Sequence, residues 1–183
     1  MEWFNEPAAC SFENGQIRVK TSPQTDFWRI THYGFIRDSG HFYFETIDSD
    51  FDVEVTIRGQ YQDLYDQAGL MIRVDENHWL KTGIEYVDGV QNLSAVVTHT
   101  HSDWSMSPLP SPPEALQLRI ERRQEALHLA YRISDDGPYV PFRMTYMPTD
   151  QPLQVGIMCA SPQGNGYEVV FENYQLTPRP KSM

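Results

Sequence analysis

Apolar and polar residues alternate with a period of two over most of this chain, and helical periodicity is nearly absent. Residues 51–58, FDVEVTIR, place four apolar side chains on one face and charged or polar side chains on the other. Segments of this kind recur between clusters of Gly, Pro, Asp and Ser, and they predict about ten to twelve short strands. This spacing is typical of an all-β fold, and we expect one antiparallel two-sheet β-sandwich, a jelly roll.

The C-terminal third of the chain predicts two further hairpins. Residues 115–134 predict one pair of strands, and residues 153–160 and 167–176 predict a final pair around the turn signal SPQGNG. No internal repeat or linker divides the chain. We therefore expect one domain over residues 1–178, followed by a C-terminal tail of residues 179–183.

The composition narrows the classes of function. Hydrophobic residues make up 40% of the 183 residues, and the formal net charge is −11. The chain has enough apolar residues for a core, and it lacks the clustered Lys and Arg that nucleic acids and anionic membranes require. No membrane span or signal peptide pattern is present. Cys10 and Cys159 are expected to be free thiols, and a cytoplasmic protein is the default expectation.

One hairpin over residues 66–86, DQAGLMIRVDENHWLKTGIEY, can be placed in register from its sequence. A loop at residues 75–77, with Asn77 in the left-handed conformation, pairs Ile72 with Leu80 and brings the apolar sides of both strands together. The other face then carries four facing pairs: Gln67 with Glu85, Gly69 with Gly83, Met71 with Lys81, and Arg73 with Trp79.

The facing glycines of this hairpin predict a shallow pit. Lys81 and Glu85 are four residues apart, about 13 Å at ~3.3 Å per residue, so an ion pair would require both side chains to lean inward. A ligand the size of a sugar ring could sit between them instead. The alternative is that the glycines mark the close approach of a strand or loop and that the charges are solvated. The residues expected to bind the ligand are Gln67, Gly69, Trp79, Lys81, Gly83 and Glu85, with Trp104 at the rim.

Four segments of the chain carry a resemblance to a known family: residues 25–34, 64–89, 93–105 and 155–162. They are similar to the bacterial and fungal family of uncharacterised proteins labelled regulators of enolase, in the concanavalin A-like lectin/glucanase superfamily. The resemblance covers nearly the whole chain. It implies a two-sheet jelly roll with one concave sheet, on which members of the superfamily usually bind carbohydrate, and it supplies no agreed activity or catalytic residues.

Catalytic patterns are sparse in the sequence. The E-x-D-x-x-E strand of the retaining glucanases of this superfamily is absent, and the nearest match places Glu45 and Asp48 at the wrong spacing. Glu85 is a candidate acid or base, and Asp66 or Asp103 is a candidate partner carboxylate.

The pattern His99-x-His101 places two imidazoles on one face of a strand. No Glu follows at the spacing of a cupin metal site, so we expect no metal and no cofactor.

Two aromatic segments have both a structural and a functional interpretation. Ser102–Trp104 fits a turn in which Asp103 accepts from local backbone N–H groups and Trp104 caps the core, or a loop that presents Trp104 as a stacking platform. Phe27 and Trp28 are expected to close one end of the core.

These observations favour a non-catalytic, lectin-like binding domain whose ligand, a carbohydrate or a sugar-like polar molecule, lies on the concave sheet. Lys81 and Glu85 would suit an ionic or heavily hydroxylated ligand through charge-assisted hydrogen bonds. Two alternatives stay open. One is a saccharide-acting hydrolase or lyase that uses Glu85, and the other is a protein-interaction or regulatory domain, with a homodimer as one form.

Overall fold

The structure, a computed structural model, describes residues 1–134, 136–148 and 150–180, and the regular structure of these residues consists of sixteen strands. In chain order they are β1 (Glu2–Phe4), β2 (Ala9–Glu13), β3 (Gln16–Lys20), β4 (Phe27–Arg29), β5 (Ile36–Asp38), β6 (His41–Ile47), β7 (Asp50–Gly59), β8 (Gln67–Arg73), β9 (His78–Val87), β10 (Val90–His99), β11 (His101–Pro108), β12 (Leu116–Arg123), β13 (Ala126–Arg132), β14 (Val140–Tyr146), β15 (Leu153–Ala160) and β16 (Glu168–Arg179). The predicted number of ten to twelve strands is too low, because strands of three residues such as β1 and β5 are too short to show an alternation.

Two seven-stranded antiparallel sheets form the sandwich, which confirms the predicted fold class. Sheet A has the order β1-β6-β15-β8-β9-β10-β11, and sheet B has the order β14-β13-β12-β7-β16-β3-β2. β4 and β5 form a separate two-stranded sheet. Strand β16 ends at Arg179, and residues 181–183 of the predicted tail lie outside the described residues. Over the described residues, the structure contains no helix long and apolar enough to cross a membrane.

The main core lies between the two sheets. Val53 and Val55 of β7 pack in one apolar cluster with Leu70 and Ile72 of β8 and Leu80 of β9, and each has at most 2% of its surface exposed. The alternation in β7 therefore points its apolar side at sheet A, as predicted. Full burial of a side chain of this size contributes about 1.5–3 kcal/mol, so the contact between the sheets is the largest apolar source of stability.

The register predicted for the β8–β9 hairpin is confirmed. Gln67 pairs with Glu85, Gly69 with Gly83, Met71 with Lys81, and Arg73 with Trp79.

The predicted left-handed conformation of Asn77 in the loop of this hairpin is wrong, because its φ is not positive. The Asp75 carboxylate organises the loop instead. Its Oδ1 accepts from the backbone N–H groups of Asn77 (2.7 Å) and His78 (2.8 Å).

The predicted C-terminal hairpin does not form. β15 lies in sheet A between β6 and β8, whereas β16 lies in sheet B between β7 and β3. The turn residues 161–167 therefore connect the two sheets. A turn signal shows where a strand ends, and it does not show whether the next strand stays in the same sheet.

The segment Ser102–Trp104 is part of a strand and not the predicted turn. All three residues lie in β11 and pair with Thr98, Val97 and Val96 of β10. The chain reverses direction at Thr100, between β10 and β11, where φ is 65°. Asp103 forms an ion pair with Arg143 at 3.3 Å instead of capping a turn.

A second apolar cluster covers the face of sheet A that points away from sheet B, which we call the outer face. The hairpin of β4 and β5, residues 27–38, folds onto this face, and we call it the cover hairpin. Phe27 is fully buried there with Phe42, Met71 and Trp79. Strands β8 and β9 are therefore buried on both faces, which the alternating pattern did not predict.

Polar contacts also hold the cover hairpin in place. Arg73 forms a two-pronged ion pair with Asp38, with N–O distances of 2.8 and 2.9 Å. At the other strand of the hairpin, the backbone N–H of Arg29 donates to Ser102 Oγ at 2.9 Å. Two-pronged pairs of this kind are the stronger class of charge-assisted hydrogen bond, so the cover hairpin is an integral part of the fold.

The two facing glycines allow β8 and β9 to approach closely. A Cβ added to Gly69 would lie 1.7 Å from Thr82 O, and a Cβ added to Gly83 would lie 2.0 Å from Ala68 O. These neighbours are backbone atoms and cannot move aside as a flexible side chain does.

We expect Gly69→Ala to lower the free energy of unfolding by about 3 kcal/mol, because the added methyl forces the two strands apart. Gly137→Ala is the control, since its added Cβ would meet Ser134 O at an ordinary 3.4 Å. Urea unfolding followed by tryptophan fluorescence measures both variants. A Gly69→Ala protein within about 0.5 kcal/mol of the control would contradict the close approach.

Candidate functional site

The structure brings four of the seven predicted ligand-binding residues to one cavity on the outer face of sheet A. The volume of this cavity is about 120 Å³, and Gln67, Lys81, Glu85 and Trp104 line it. Its other lining residues, which the pattern analysis did not select as ligand-binding, are Asp26, Trp28, Tyr33, Phe35, Tyr65, Pro162 and Gln163. The cavity is comparable in size to the engineered cavity of about 150 Å³ that accommodates benzene.

The predicted pit over Gly69 and Gly83 has almost no free space. The space beside Gly83 has a volume of only about 10 Å³, which is room for about one water molecule. Met158, which pairs with Gly69 from the neighbouring strand, lines this space. The alternative interpretation, that the glycines mark a close backbone approach, fits the structure.

Trp79 is also absent from the cavity lining, contrary to the expectation that it would stack on a ligand. Only 1% of its surface is exposed. Its ring lies 6.2 Å from the ring of Phe27, in the second apolar cluster. The cover hairpin therefore occupies the space that the sequence analysis assigned to a ligand, and Trp79 supports the fold.

Lys81 lies at the floor of the cavity with 4% of its surface exposed. Its Nζ donates to Gln67 Oε1 (2.6 Å), to the backbone carbonyl of Phe27 (2.7 Å) and to Asp26 Oδ1 (3.3 Å). Among the described residues, its ion pair is with Asp26 and not with Glu85. An ammonium group has three N–H donors, so these three acceptors use its full capacity.

Glu85 lies four residues further along β9 and is 7% exposed. Its Oε2 accepts from Ser94 Oγ (2.6 Å) and from the indole Nε1 of Trp104 (2.8 Å). Burial raises the pKa of this carboxyl above its ordinary value, while Lys81 and the two hydrogen bonds act in the opposite direction. Within the described part of the chain no hydrogen bond reaches Oε1 of Glu85, which leaves that oxygen as an acceptor.

Aromatic side chains form the walls of the cavity. Trp28 and Tyr33 come from the cover hairpin, Tyr65 precedes β8, and Trp104 is on β11. The hydroxyls of Tyr33 and Tyr65 lie 3.3 Å apart. The hydrogen bond to Tyr33 and partial burial raise the pKa of Tyr65 to about 12, so the Tyr65 hydroxyl stays protonated near neutral pH.

A larger depression adjoins the cavity. Its volume is about 340 Å³, and it shares Asp26, Phe35, Pro162 and Gln163 with the cavity. Gln24 and Arg37 line its far side. A ligand whose end enters the cavity therefore has a polar surface for its remaining part.

The two partner carboxylates proposed for Glu85 lie elsewhere. Asp66 is fully buried and organises its own loop, where its Oδ2 accepts from the N–H groups of Gln62 and Asp63, both at 2.9 Å. Asp103 is exposed beside Arg143. Asp26 is the second carboxylate that lines the cavity.

The two histidines considered as a metal pair face each other across the turn between β10 and β11. The His99 ring packs against the rings of His78 and Tyr146, at 5.6 and 5.7 Å. Over the described residues, no group of three or more His, Cys, Asp or Glu side chains is placed to hold a metal ion.

The raised pKa of Glu85 predicts a pH-dependent stability. As the pH rises above the ordinary Glu pKa of 4.5, the unfolded chain loses this proton before the folded protein does, so the folded state becomes less stable. The free energy of unfolding of the wild type should therefore fall relative to that of Glu85→Gln, until the raised pKa is passed.

Urea unfolding of both proteins at intervals between about pH 4 and pH 8 checks this difference. A wild type that gains stability relative to Glu85→Gln over the same range would contradict the raised pKa.

Known proteins resemble this chain over nearly its full length. The family described as "Protein of unknown function (DUF1349)" matches residues 3–179. "Regulation of enolase protein 1" of Saccharomyces cerevisiae is 40% identical over 176 residues, which is 96% of this chain and 88% of that protein. The crystal structure of a functionally unknown protein from Saccharomyces cerevisiae superposes with a TM-score of 0.92 at 38% identity, and covers 97% of this chain and 96% of that chain.

More distant structures share the fold. Xylan β-1,4-xylosidase from Bacillus halodurans C-125 has a TM-score of 0.75 at 18% identity, with 94% of this chain matched to 35% of the enzyme. The carbohydrate binding module CBM66 from Bacillus subtilis has a TM-score of 0.60 at 10% identity, and covers 96% of this chain and 94% of the module. These two likenesses show a common jelly-roll fold. The match over residues 3–179, together with the 40% identity to the yeast protein, shows that this chain belongs to the DUF1349 family.

Proposed function

We propose that this protein is a non-catalytic binding domain whose cavity on sheet A takes a carbohydrate or a sugar-like polar ligand. The observation that carries the proposal is the combination of aromatic walls with a floor of polar groups, Gln67, Lys81, Asp26 and Glu85. Ligand sites typically consist of an apolar, aromatic lining and a few polar groups that fix orientation.

The cavity offers two kinds of contact that a sugar ring needs. The aromatic walls suit the C–H groups of the ring. On the floor, Oε1 of Glu85 and Oδ2 of Asp26 are carboxylate oxygens to which no hydrogen bond from the described residues is directed, since their bonds end on Oε2 and Oδ1. Hydroxyl groups that donate to these oxygens would form charge-assisted hydrogen bonds.

The size of the cavity limits what enters it. A volume of about 120 Å³ holds one ring and not a chain of rings. The adjoining depression would hold the next part of a longer ligand. The proposal is therefore recognition of one terminal sugar unit or of a free molecule of that size.

The comparison with CBM66 supports the proposal at the level of the fold. CBM66 is a carbohydrate binding module, and this chain matches 94% of its length with the same architecture. At 10% identity, no binding residue of CBM66 can be assigned to a position in this chain. Binding residues in this chain are therefore proposed from its own cavity.

Isothermal titration calorimetry with neutral sugars, amino sugars and sugar acids tests the proposal. We expect at least one member of the panel to bind with a dissociation constant between about 1 mM and 1 μM. Glu85→Gln and Asp26→Asn should each weaken that binding about tenfold or more, because each removes a charged acceptor.

Asp103→Asn is the matched control, since Asp103 is a carboxylate of the same sheet outside the cavity lining. It should bind as the wild type does. Absence of binding for the whole panel would contradict the proposal, as would equal losses in the control and the cavity variants.

A saccharide-acting hydrolase is the second candidate, and the observation that favours it is that two carboxylates, Asp26 and Glu85, line one cavity. The buried pair between Asp26 and Lys81 weighs against it, because that pair occupies Oδ1 of Asp26. A panel of 4-nitrophenyl glycosides separates the candidates. Under the binding proposal no turnover is expected above the rate of buffer alone, and turnover that disappears in Glu85→Gln would establish the hydrolase instead.

A further inference from the structure

Among the described residues, five aromatic side chains line the cavity, and four of them contact one another in a circuit, while the fifth, Phe35, stacks on Tyr33. Trp28 packs edge-to-face against Trp104, with centroids 6.4 Å apart at 90°, and against Tyr33, at 5.7 Å and 71°. Tyr65 packs against Trp104 at 6.3 Å and 79°, and its hydroxyl contact with Tyr33 closes the circuit. A flat neutral ring stacks best on one broad aromatic face. Rings that stand nearly at right angles form a box, which suits a compact, rounded group such as a substituted ammonium.

Among the described residues that line the cavity, Lys81 is the only lysine or arginine, and it is not available to an anion. The three donors of Lys81 are directed at Gln67, Phe27 and Asp26. An anionic ligand would have to displace one of these acceptors and leave it buried without a partner, which costs free energy. The floor is therefore unsuited to a sugar acid or a phosphate.

The charges of the cavity favour a cation. With Asp26 and Lys81 paired, Glu85 is the charged lining residue to which no Lys, Arg or His of the described residues forms an ion pair. The ring faces around it carry the negative part of the aromatic quadrupole. Every element of the lining other than Lys81 thus presents either negative potential or a neutral surface.

Glu85 and the aromatic box are joined directly. The indole N–H of Trp104 donates to Glu85 Oε2 at 2.8 Å, so a box ring and the carboxylate hold each other in position. An acceptor bound to the indole N–H also polarises the ring and makes its face more negative. Oε1 of the same carboxylate has no hydrogen bond from the described residues and can accept from a ligand N–H.

We propose that the ligand of this cavity carries an ammonium group, primary or N-methylated, which lies inside the box of Trp28, Tyr33, Tyr65 and Trp104 and pairs with Glu85. The proposal rests on the proposed function, because it requires that the cavity binds a small ligand. It narrows the proposed ligands to amines. An amino sugar is both an amine and a carbohydrate, so it satisfies both proposals.

Matched pairs of probes test the charge separately from the shape. Choline and 3,3-dimethylbutan-1-ol have the same shape and differ in charge, and glucosamine and glucose differ in one amino group. Calorimetry should show that choline and glucosamine bind about tenfold or more tightly than their neutral counterparts. Glucuronate, an anion, should not bind.

Two variants test whether the preference for charged probes arises in this cavity. Glu85→Gln keeps the shape and the hydrogen bonds and should reduce the preference for each charged probe to about threefold or less. Tyr33→Leu removes one wall of the box and should weaken binding of choline in particular. The control is Tyr146→Leu, since Tyr146 is 56% exposed outside the cavity and Tyr33 is 45% exposed within it. Tyr146→Leu should change neither the affinity for choline nor the affinity for glucosamine.

The outcomes separate this proposal from the proposed function. Glucose binding equal to or tighter than glucosamine binding would overturn the ammonium proposal and leave the carbohydrate site intact. A charge preference that survives in Glu85→Gln and Tyr33→Leu would also overturn it, because the preference would then arise elsewhere. No binding by any probe would overturn both. Choline binding without any sugar binding would support the ammonium site and overturn the carbohydrate proposal.

Discussion

The structure depends on how the buried ammonium of Lys81 is satisfied. A charged group inside a protein is stable only when it is paired and fully hydrogen-bonded. Its acceptors come from strand β8, through Gln67, and from the start of the cover hairpin, through Asp26 and the carbonyl of Phe27. The same three bonds that neutralise Lys81 therefore fasten the cover hairpin to sheet A and fix the floor of the cavity.

The pairing of β8 with β9 could be predicted from the sequence because two independent signals agree on it. The alternation gives each strand an apolar side, and the loop of three residues allows one register in which those sides match. Every predicted pair from Gln67–Glu85 to Arg73–Trp79 is present. Local information is sufficient here, since both strands and the loop lie within about twenty residues of one another.

The fate of the outer face of that hairpin could not be predicted in the same way. Its cover comes from β4 and β5, two strands of three residues, and no local pattern shows that they fold onto sheet A. The carboxylate that pairs with Lys81 lies 55 residues away along the chain. The sequence places all seven predicted residues at one ligand site. The structure brings Gln67, Lys81, Glu85 and Trp104 to the cavity, whereas Gly69, Trp79 and Gly83 lie outside its lining.

The cavity combines a rigid floor with walls from several segments. Gln67, Lys81 and Glu85 are held in central strands of sheet A, whereas Tyr33 and Gln163 lie outside the sheet strands. A floor fixed before binding avoids the entropic cost of ordering polar side chains around a ligand. The walls beyond the strands can differ between related proteins without any change in the sheet.

The contact between the hydroxyls of Tyr33 and Tyr65 joins two parts of the molecule that are otherwise separate walls. Tyr33 and Trp28 belong to the cover hairpin, and Tyr65 and Trp104 belong to the body of the sandwich. A molecule inside the circuit touches both parts, so it binds only while the hairpin is seated. By thermodynamic linkage its binding must stabilise the seated state by the same amount. The hairpin thereby becomes an element whose opening equilibrium reports occupancy of the cavity.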